Sequence, residues 1–206
     1  MPEEEKNNNF LTSSVQDENE PKDIFRKEFF GVIKMLFWAA LIVLPVRYYI
    51  AQPFVVKGSS MEPNFYDSDY LIVDEISYHL RSPRRDEPIV LRYPKDPTEF
   101  FIKRIIGLPG ETVEIKDGRV MVKNSEYPEG LILDQSYLDP PNRSTYPNVT
   151  EKLGDNEYFV LGDNRDFSSD SRIWGSVPRN MIIGRAFFRA WPWSDLGFVK
   201  DYSLSY

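Results

Sequence analysis

The distribution of apolar residues divides the chain into a polar start, one long apolar run and a region of short apolar runs. Residues 1–23 carry seven acidic residues against two lysines. A segment of this composition has too little apolar surface to order itself. We therefore predict a disordered acidic tail over residues 1–28.

The apolar run follows directly. Between residues 29 and 46 Lys34 is the only charged residue, and aromatic and apolar residues continue beyond Arg47. A bilayer core requires roughly 20 apolar residues, and lysine and arginine near the ends of a span can extend to the interfaces. We predict one transmembrane helix over residues 29–50. A buried core helix remains the alternative, because Lys34, Pro45 and Arg47 interrupt the run.

Beyond Pro53 the runs are short, rich in Val, Ile, Phe and Tyr, and bounded by Gly, Pro or Asp, which is typical of β-strands. The predicted strands are Asp69–Ile76, Pro88–Tyr93, Glu99–Ile106, Thr112–Lys116, Arg119–Lys123, Glu157–Leu161 and Met181–Ala190. The Asp117-Gly118 pair predicts a two-residue hairpin turn. The expected fold is a mainly β, antiparallel-sheet domain over residues 51–206, with a small non-catalytic excursion over about 111–157.

Composition and charge narrow the possible functions. The chain has no cysteine and one histidine, His79, so a thiolate site or a multi-histidine metal site is excluded. We expect no metal and no other cofactor. Most of the net charge of −7 lies in the acidic tail, and the remainder has no basic stripe. We therefore expect no nucleic-acid partner.

The strand Glu99–Ile106 places two adjacent cations on opposite faces, and both faces are otherwise apolar. Burial disfavours the charged form of a lysine and lowers its pKa, whereas an arginine stays charged and needs an acidic partner. Lys103 is therefore a candidate general base, and Arg104 requires a carboxylate. The alternative is that Lys103 reaches water from an edge strand.

Two further segments carry polar residues that could support chemistry. Lys57–Pro63 contains Ser60, although a serine pair beside glycine is usually only a turn. The segment 162–172 is crowded with Asp, Asn, Arg and Ser. Its carboxylates could bind calcium, but their spacing does not match an EF-hand and neighbouring arginines would compete for them. Internal ion pairs explain this composition better.

These three segments, in this order and behind a candidate span, resemble the type I signal peptidase family. The Ser60-Met61 segment resembles the nucleophile box, and residues 101–110 (FIKRIIGLPG) resemble the general-base box. Residues 162–172, with Trp174-Gly175 and Val177-Pro178, resemble the third signature. The similarity covers roughly residues 35–190, and its strength lies in the ordered set rather than in any one box.

The resemblance implies a role for each matching residue. Ser60 corresponds to the nucleophile, Lys103 to the general base and Ser168 to the hydroxyl that orients the lysine amine. Supporting ion pairs are implied for Asp170 with Arg172 and for Arg104 with Asp163. Gly58 occupies a position where some members have a serine that helps to bind the oxyanion, so the oxyanion would depend more on the Ser60 N–H. The residues that match the substrate pockets are Phe54, Val56, Met61, Phe65, Phe101 and Ile102.

The resemblance also implies an activity and a location. The expected protein is a membrane-bound serine endopeptidase that removes signal peptides from exported preproteins by cleaving after small residues. Its partners would be signal peptides and a lipid bilayer. A weak excess of Lys and Arg before the span favours a catalytic domain on the extracytoplasmic side of the plasma membrane. The alternatives are a self-cleaving Ser-Lys peptidase of the repressor type and an inactive membrane-anchored β scaffold.

Overall fold

The computed structural model describes residues 20–45, 51–200 and 202. The chain divides into two compact units, Met1–Pro45 and Val46–Tyr206. In the first unit one helix, α1, spans Glu20–Pro45. Residues 20–28 of the segment predicted to be disordered lie in this helix, and Arg, Lys and Glu are good helix formers that can extend an adjoining helix. The remainder of the predicted tail, residues 1–19, lies outside the described residues.

The described side chains of α1 are exposed, including the large apolar ones. Exposed apolar residues are Phe29, Phe30, Val32, Ile33, Met35, Leu36, Phe37, Trp38, Leu41 and Val43. In the part of the chain that the structure describes, no helix combines the length and the mean hydropathy needed to cross a bilayer. The last part of the predicted span, residues 46–50, lies outside the described residues.

The second unit consists mainly of β-strands. The strands are β1 (Ala51–Val55), β2 (Tyr70–Asp74), β3 (Pro88–Tyr93), β4 (Asp96–Gly107), β5 (Thr112–Lys116), β6 (Arg119–Lys123), β7 (Leu131–Ile132), β8 (Val149–Lys152), β9 (Glu157–Leu161), β10 (Val177–Pro178), β11 (Ile182–Trp191) and β12 (Gly197–Phe198). Two one-turn α-helices are α2 (Ser77–Leu80) and α3 (Ser171–Trp174). Single 3-10 turns cover Pro140–Arg143, Arg165–Phe167, Arg179–Met181 and Trp193–Asp195.

The strands form two antiparallel sheets. The larger sheet has eight strands in the order β1-β2-β11-β3-β4-β9-β10, with β12 paired to β11. The smaller sheet has four strands in the order β7-β6-β5-β8. The antiparallel, mainly β architecture is confirmed. Every strand expected from the sequence is present, and β1, β7, β8, β10 and β12 were not expected.

The strand β1 shows why some elements escape a sequence pattern. It contains Pro53, which lacks an N–H and normally argues against a strand. Since β1 is the edge of the larger sheet and pairs only with β2, one side of it needs no ladder hydrogen bonds. An edge position therefore tolerates the proline.

The Asp-Gly turn has the predicted form. Lys116 pairs with Arg119 across the β5–β6 hairpin, and both Asp117 and Gly118 have positive φ, at 50° and 78°. Positive φ at both central residues defines a type I′ turn, for which Asp-Gly is suited. The turn fixes the register of β5 against β6.

Strand β4 is the centre of the second unit. Its neighbours are β3 on one side and β9 on the other. Ile105 belongs to one buried apolar cluster with Ile89 and Leu91, whereas Ile106 belongs to another with side chains of the smaller sheet. A strand that is covered on both faces also buries its polar residues, and β4 carries Lys103 and Arg104.

Candidate active site

Ser60 and Lys103 lie in direct contact. Lys103 Nζ is 2.7 Å from Ser60 Oγ and donates to the Ile102 carbonyl oxygen at 2.8 Å. Ser60 lies in the loop between β1 and β2, and Lys103 lies in β4. Neither β1 nor β2 lies next to β4 in the larger sheet. The two side chains are therefore brought together by the fold of the whole sheet and not by the pairing of neighbouring strands.

The loop of Ser60 is held by the segment that follows β9. The main-chain N–H of Asn164 donates to the Ser60 carbonyl oxygen at 3.1 Å, and its side-chain Nδ2 donates to the Ser59 carbonyl oxygen at 3.1 Å. Among the described residues, nothing accepts a hydrogen bond from the Ser60 N–H. This N–H is therefore available to a bound carbonyl oxygen.

The amine of Lys103 is almost removed from water. The residue is 3% exposed. Burial lowers the pKa of Lys103 to about 8, while the charges of Asp170 and Asp163 oppose this change. Desolvation is the larger influence, as the apolar setting of the strand predicted. A larger fraction of this amine is therefore neutral near pH 8 than of an exposed lysine.

Both nearby carboxylates are engaged by arginines. Arg104 Nε and Nη2 donate to the two oxygens of Asp163 at 2.8 and 2.6 Å. Arg172 Nε and Nη2 donate to the two oxygens of Asp170, both at 2.8 Å. Such two-point pairing supplies both oxygens of each carboxylate with guanidinium donors. Arg104 thus has the acidic partner that its burial requires.

Ser168 lies beside the nucleophile loop without contacting the lysine through a hydrogen bond. It is 8% exposed, and its Oγ has no hydrogen-bond partner in the described part of the chain. A Cβ at Gly162 would lie 2.2 Å from Ser168 Oγ and 2.4 Å from the Ser60 carbonyl oxygen. Only glycine permits this approach, so Gly162 brings the two serines close together. The orienting role of Ser168 stays a prediction.

A cavity of about 150 Å³ opens at Ser60 and Lys103. Its lining residues are Phe54, Lys57, Ser60, Phe100, Phe101, Ile102, Lys103 and Ser169. Phe54, Phe101 and Ile102 were expected there, whereas Phe100, Lys57 and Ser169 were not. Val56, Met61 and Phe65 are not among the lining residues of this cavity, and their place in a substrate pocket stays a prediction. They are at most 2% exposed and pack with Ile102 in an apolar cluster, because Met61 and Phe65 turn inward in a compact loop.

The main-chain N–H of Gly58 already has a hydrogen-bond partner. Its N–H donates to Asp67 Oδ1 at 2.7 Å. Since that hydrogen bond uses the only donor of Gly58, this residue supplies nothing to an oxyanion unless the contact breaks. The Ser60 N–H is the donor that remains.

Four residues of this region were not identified from the sequence: Asn64, Gly162, Asn164 and Arg165. Gly162 and Asn164 flank Asp163 directly after β9, so their place in the third segment was a usable signal. Asn64 Nδ2 donates to Asp163 Oδ2 at 3.0 Å, but no spacing rule connects residues so distant in sequence. Across residues 20–45, 51–200 and 202, no group of three or more His, Cys, Asp or Glu residues is arranged to hold a metal ion.

A serine hydroxyl in contact with a buried lysine amine, beside a small cavity, is the arrangement expected of a serine hydrolase in which lysine acts as the base. The family model described as "Signal peptidase, peptidase S26" matches residues 29–191. This chain therefore belongs to the peptidase S26 family of signal peptidases and is a serine endopeptidase. The family expected from the three sequence segments is confirmed.

Two relatives found by sequence agree with the family model. A probable signal peptidase I-2 from Synechocystis sp. is 40% identical over 82% of this chain and 76% of its own length. Signal peptidase I from Leptolyngbya laminosa is 40% identical over 80% of this chain and 81% of its own length. The crystal structure of a signal peptidase I from Enterococcus faecalis is 31% identical and has a TM-score of 0.44, covering 51% of this chain and 97% of that one.

We predict that Lys103 titrates with a midpoint of about 8, because burial disfavours its charged form. The measurement is the ¹³Cε chemical shift of Lys103 against pH in the full chain, assigned by its loss in Lys103→Arg. The reference is a lysine in a model peptide, for which the pKa is ~10.4. A Lys103 midpoint equal to that of the peptide lysine would contradict the desolvation argument.

Proposed function

We propose that this endopeptidase removes N-terminal signal peptides from preproteins, with Ser60 as nucleophile and Lys103 as general base. The observation that carries the proposal is the 2.7 Å contact between Lys103 Nζ and Ser60 Oγ, made by an amine whose pKa burial lowers to about 8. An unperturbed lysine would be neutral in only ~0.04% of molecules at pH 7. Each unit of depression increases that fraction about tenfold.

The reaction proceeds in two stages. Ser60 Oγ attacks the carbonyl carbon of the scissile bond while its proton passes to neutral Lys103. The lysinium then protonates the leaving amine, which becomes the N-terminus of the mature protein, and the signal peptide stays bound as an ester of Ser60. A water molecule gives a proton to Lys103 and attacks the ester. The signal peptide carboxylate leaves, and Ser60 Oγ recovers its proton.

The Ser60 N–H and Ser168 have supporting roles in this proposal. The Ser60 N–H has no intramolecular partner among the described residues and donates to the oxyanion of the tetrahedral intermediate. When neutral Lys103 accepts the Ser60 proton, two N–H groups remain. One donates to the Ile102 carbonyl oxygen. We assign the other to Ser168 Oγ, which is buried and otherwise lacks a partner.

The cavity supports a preference for small residues. The cavity has a volume of about 150 Å³ and is lined by Ser60, Lys103 and several phenylalanines, so it leaves little room for large substrate side chains. Its walls come from the edge strand β1 and from β4. An extended substrate can bind along such an edge, with alternate side chains directed to the same side. The proposed preference is therefore Ala at P1 and P3.

The two alternative functions have less support. A self-cleaving peptidase of the repressor type would share Ser60 and Lys103, but the match to the signal peptidase family extends from residue 29 to residue 191. An inactive scaffold does not need a buried lysine in contact with a serine, and maintaining such a lysine lowers stability. The preserved contact supports catalysis.

Membrane anchoring by residues 29–50 is part of the proposal. Its support is the exposed apolar surface of α1 and the stretch from Met35 to Leu44, which contains no charged residue. A free surface of this kind favours lipid over water. We place the catalytic unit on the extracytoplasmic side of the plasma membrane, with a signal peptide and the bilayer as partners and no nucleic acid. Attachment to the substrate's own membrane raises the effective substrate concentration.

We predict that Ser60→Ala and Lys103→Arg each abolish cleavage of a preprotein that has Ala at P1 and P3. Alanine removes the nucleophile, and a guanidinium keeps its proton at any usable pH. The wild-type kcat/KM should rise with pH with a midpoint of about 8, because only neutral Lys103 accepts the proton. The measurements are cleavage assays from pH 6 to 10, repeated with EDTA.

Lys57→Arg is the matched control, since Lys57 is exposed and also borders the cavity. It should retain most of the activity. Turnover by Lys103→Arg at the wild-type rate would remove Lys103 from the mechanism. Inhibition by EDTA would contradict the Ser-Lys mechanism, and equal cleavage of a preprotein with Trp at P1 would contradict the proposed specificity.

Ser168→Ala should reduce kcat without abolishing it, because an unoriented amine still accepts a proton. A loss of about 10²- to 10⁴-fold is expected for a misdirected base. The measurement is single-turnover cleavage with Tm determined in parallel, and Ser169→Ala is the neighbouring control. An unchanged rate in a folded Ser168→Ala protein would remove this residue from the mechanism.

The full chain should remain in the pellet when membranes are washed with sodium carbonate. Leu36→Lys combined with Leu41→Lys should release it, because a charge at the centre of a span costs about 2.5–3.5 kcal/mol on insertion scales. Leu80→Lys, in the second unit and at a residue 83% exposed, is the control and should not release it. Recovery of the wild-type chain in the wash would contradict the proposed anchor.

A further inference from the structure

The connection between β7 and β8, residues 133–148, contacts the active site from outside the larger sheet. We call it the β7–β8 connection. It belongs to the excursion that the sequence suggested to be non-catalytic. Three arginines link this connection to the loop of residues 162–170, and all three are buried or partly buried. They are Arg104, Arg165, which itself belongs to the loop, and Arg172. That loop carries Ser168 and the two carboxylates that flank Lys103.

Arg104 is the first of these links. Its Nε and Nη2 hold Asp163, and its guanidinium carbon lies 4.3 Å from the ring centroid of Tyr137 in the connection. Tyr137 also accepts a hydrogen bond at its carbonyl oxygen from Asn64 Nδ2 at 3.1 Å. Asn64 follows Ser60 in the same loop and donates to Asp163 at 3.0 Å. Tyr137 therefore contacts both the ion pair and the nucleophile loop.

Arg165 is the second link. Its Nε donates to the Gly162 carbonyl oxygen at 3.0 Å, and its Nη1 donates to Thr145 Oγ1. Arg165 is 2% exposed and Thr145 is 0% exposed. Burial lowers the pKa of Arg165, and no carboxylate pairs with it directly in the described residues. The hydroxyl of Thr145 is thus one of few groups that satisfy a buried guanidinium.

Arg172 is the third link. It pairs with Asp170 and donates through Nη1 to the Tyr146 carbonyl oxygen at 2.5 Å. Its Nη2 also donates to the Arg165 carbonyl oxygen at 2.7 Å. The three links therefore attach successive parts of the connection to successive parts of the loop.

We propose that the β7–β8 connection is a positioning element of the active site, which acts through Arg104, Arg165 and Arg172 to hold the 162–170 loop against Ser60 and Lys103. The inference rests on the proposed function, since it assigns a role in the same reaction. Side chains of the smaller sheet form a buried cluster with Ile106 of β4 and with Phe159 and Leu161 of β9. The connection is consequently anchored on the strands that it serves.

The physical basis is hydrogen bonding without access to water. A buried donor that loses its partner costs about 1–3 kcal/mol, and more when the group is charged. If the connection moved away, Arg165 would lose the Thr145 oxygen and Arg172 the Tyr146 carbonyl. The loop would then shift or admit water. Either change displaces Ser168 and the carboxylates beside Lys103, and misplacement of about 1 Å can cost on the order of 10²-fold in rate.

Thr145→Val tests the link to Arg165, because valine has nearly the same shape and lacks the acceptor. We expect kcat for a preprotein to fall ~10-fold or more while KM changes less than ~3-fold, since the substrate cavity is not altered. Water entering beside Lys103 should raise the midpoint of kcat/KM against pH by ~0.5 unit or more. Thr145→Ser retains the acceptor and should restore both values.

Thr150→Val is the matched control, since Thr150 is exposed and lies in β8, the strand that follows the β7–β8 connection. Tyr137→Leu is an independent variant that removes the ring beside Arg104 but keeps the main-chain carbonyl. It should show the same split between kcat and KM, whereas Tyr127→Leu at an exposed tyrosine should not. Rates are referred to the folded fraction of the full-length protein, determined from its thermal unfolding.

The outcomes separate the two claims. A wild-type chain that cleaves no preprotein would refute the proposed function. A cleaving wild type with an unchanged kcat in folded Thr145→Val and Tyr137→Leu would refute the positioning role. Loss of folding in both variants would also refute it, because the connection would then be required only for stability. A reduced kcat with a shifted midpoint in either folded variant would support it.

Discussion

The whole site depends on burying a lysine without giving it a carboxylate of its own. The pKa of Lys103 falls from 10.5 to about 8, which corresponds to about 3 kcal/mol at about 1.4 kcal/mol per unit. The sign follows from proton binding: between the folded and unfolded pKa values, the unfolded chain holds more protons. This cost is therefore fully present below pH 8 and is relieved as the pH rises toward 10.5. A stable scaffold must offset it.

The scaffold meets this requirement through strand alternation. Lys103 and Arg104 are neighbours in β4 but face opposite sides, so one cation is desolvated while the other is fully paired. Arg104 forms two hydrogen bonds with Asp163, and this pairing keeps a nearby carboxylate occupied. Asp170 is occupied in the same way by Arg172. Two carboxylates can then lie close enough to raise the pKa of Lys103 without outweighing desolvation.

Local patterns predicted most of the elements, and long-range contacts account for the remainder. The main strands, the Asp-Gly turn and the burial of Lys103 follow from alternation and turn chemistry, which act over a few residues. The weight of the three segments came from resemblance, because nothing in the chain order alone shows that Ser60 meets Lys103. Apolar residues near a nucleophile fit either a cavity wall or a core, so the sequence does not show that Met61 and Phe65 are buried in a cluster with Ile102. Thr145 had no sequence signal, and the place of Arg165 in the third segment did not reveal its partner, since their contact joins separate loops.

The smaller sheet and the β7–β8 connection make contacts near the active site that the sequence did not indicate. From the sequence, residues of about 111–157 are expected to form a small non-catalytic excursion. In the structure, that region supplies an aromatic ring, a hydroxyl and two carbonyl oxygens to groups around the buried lysine. A desolvated amine needs a supporting strand that does not move and does not admit water. The smaller sheet packs through its buried cluster on Ile106, on the face of β4 opposite to Lys103, and so covers the strand that carries the lysine from its other side.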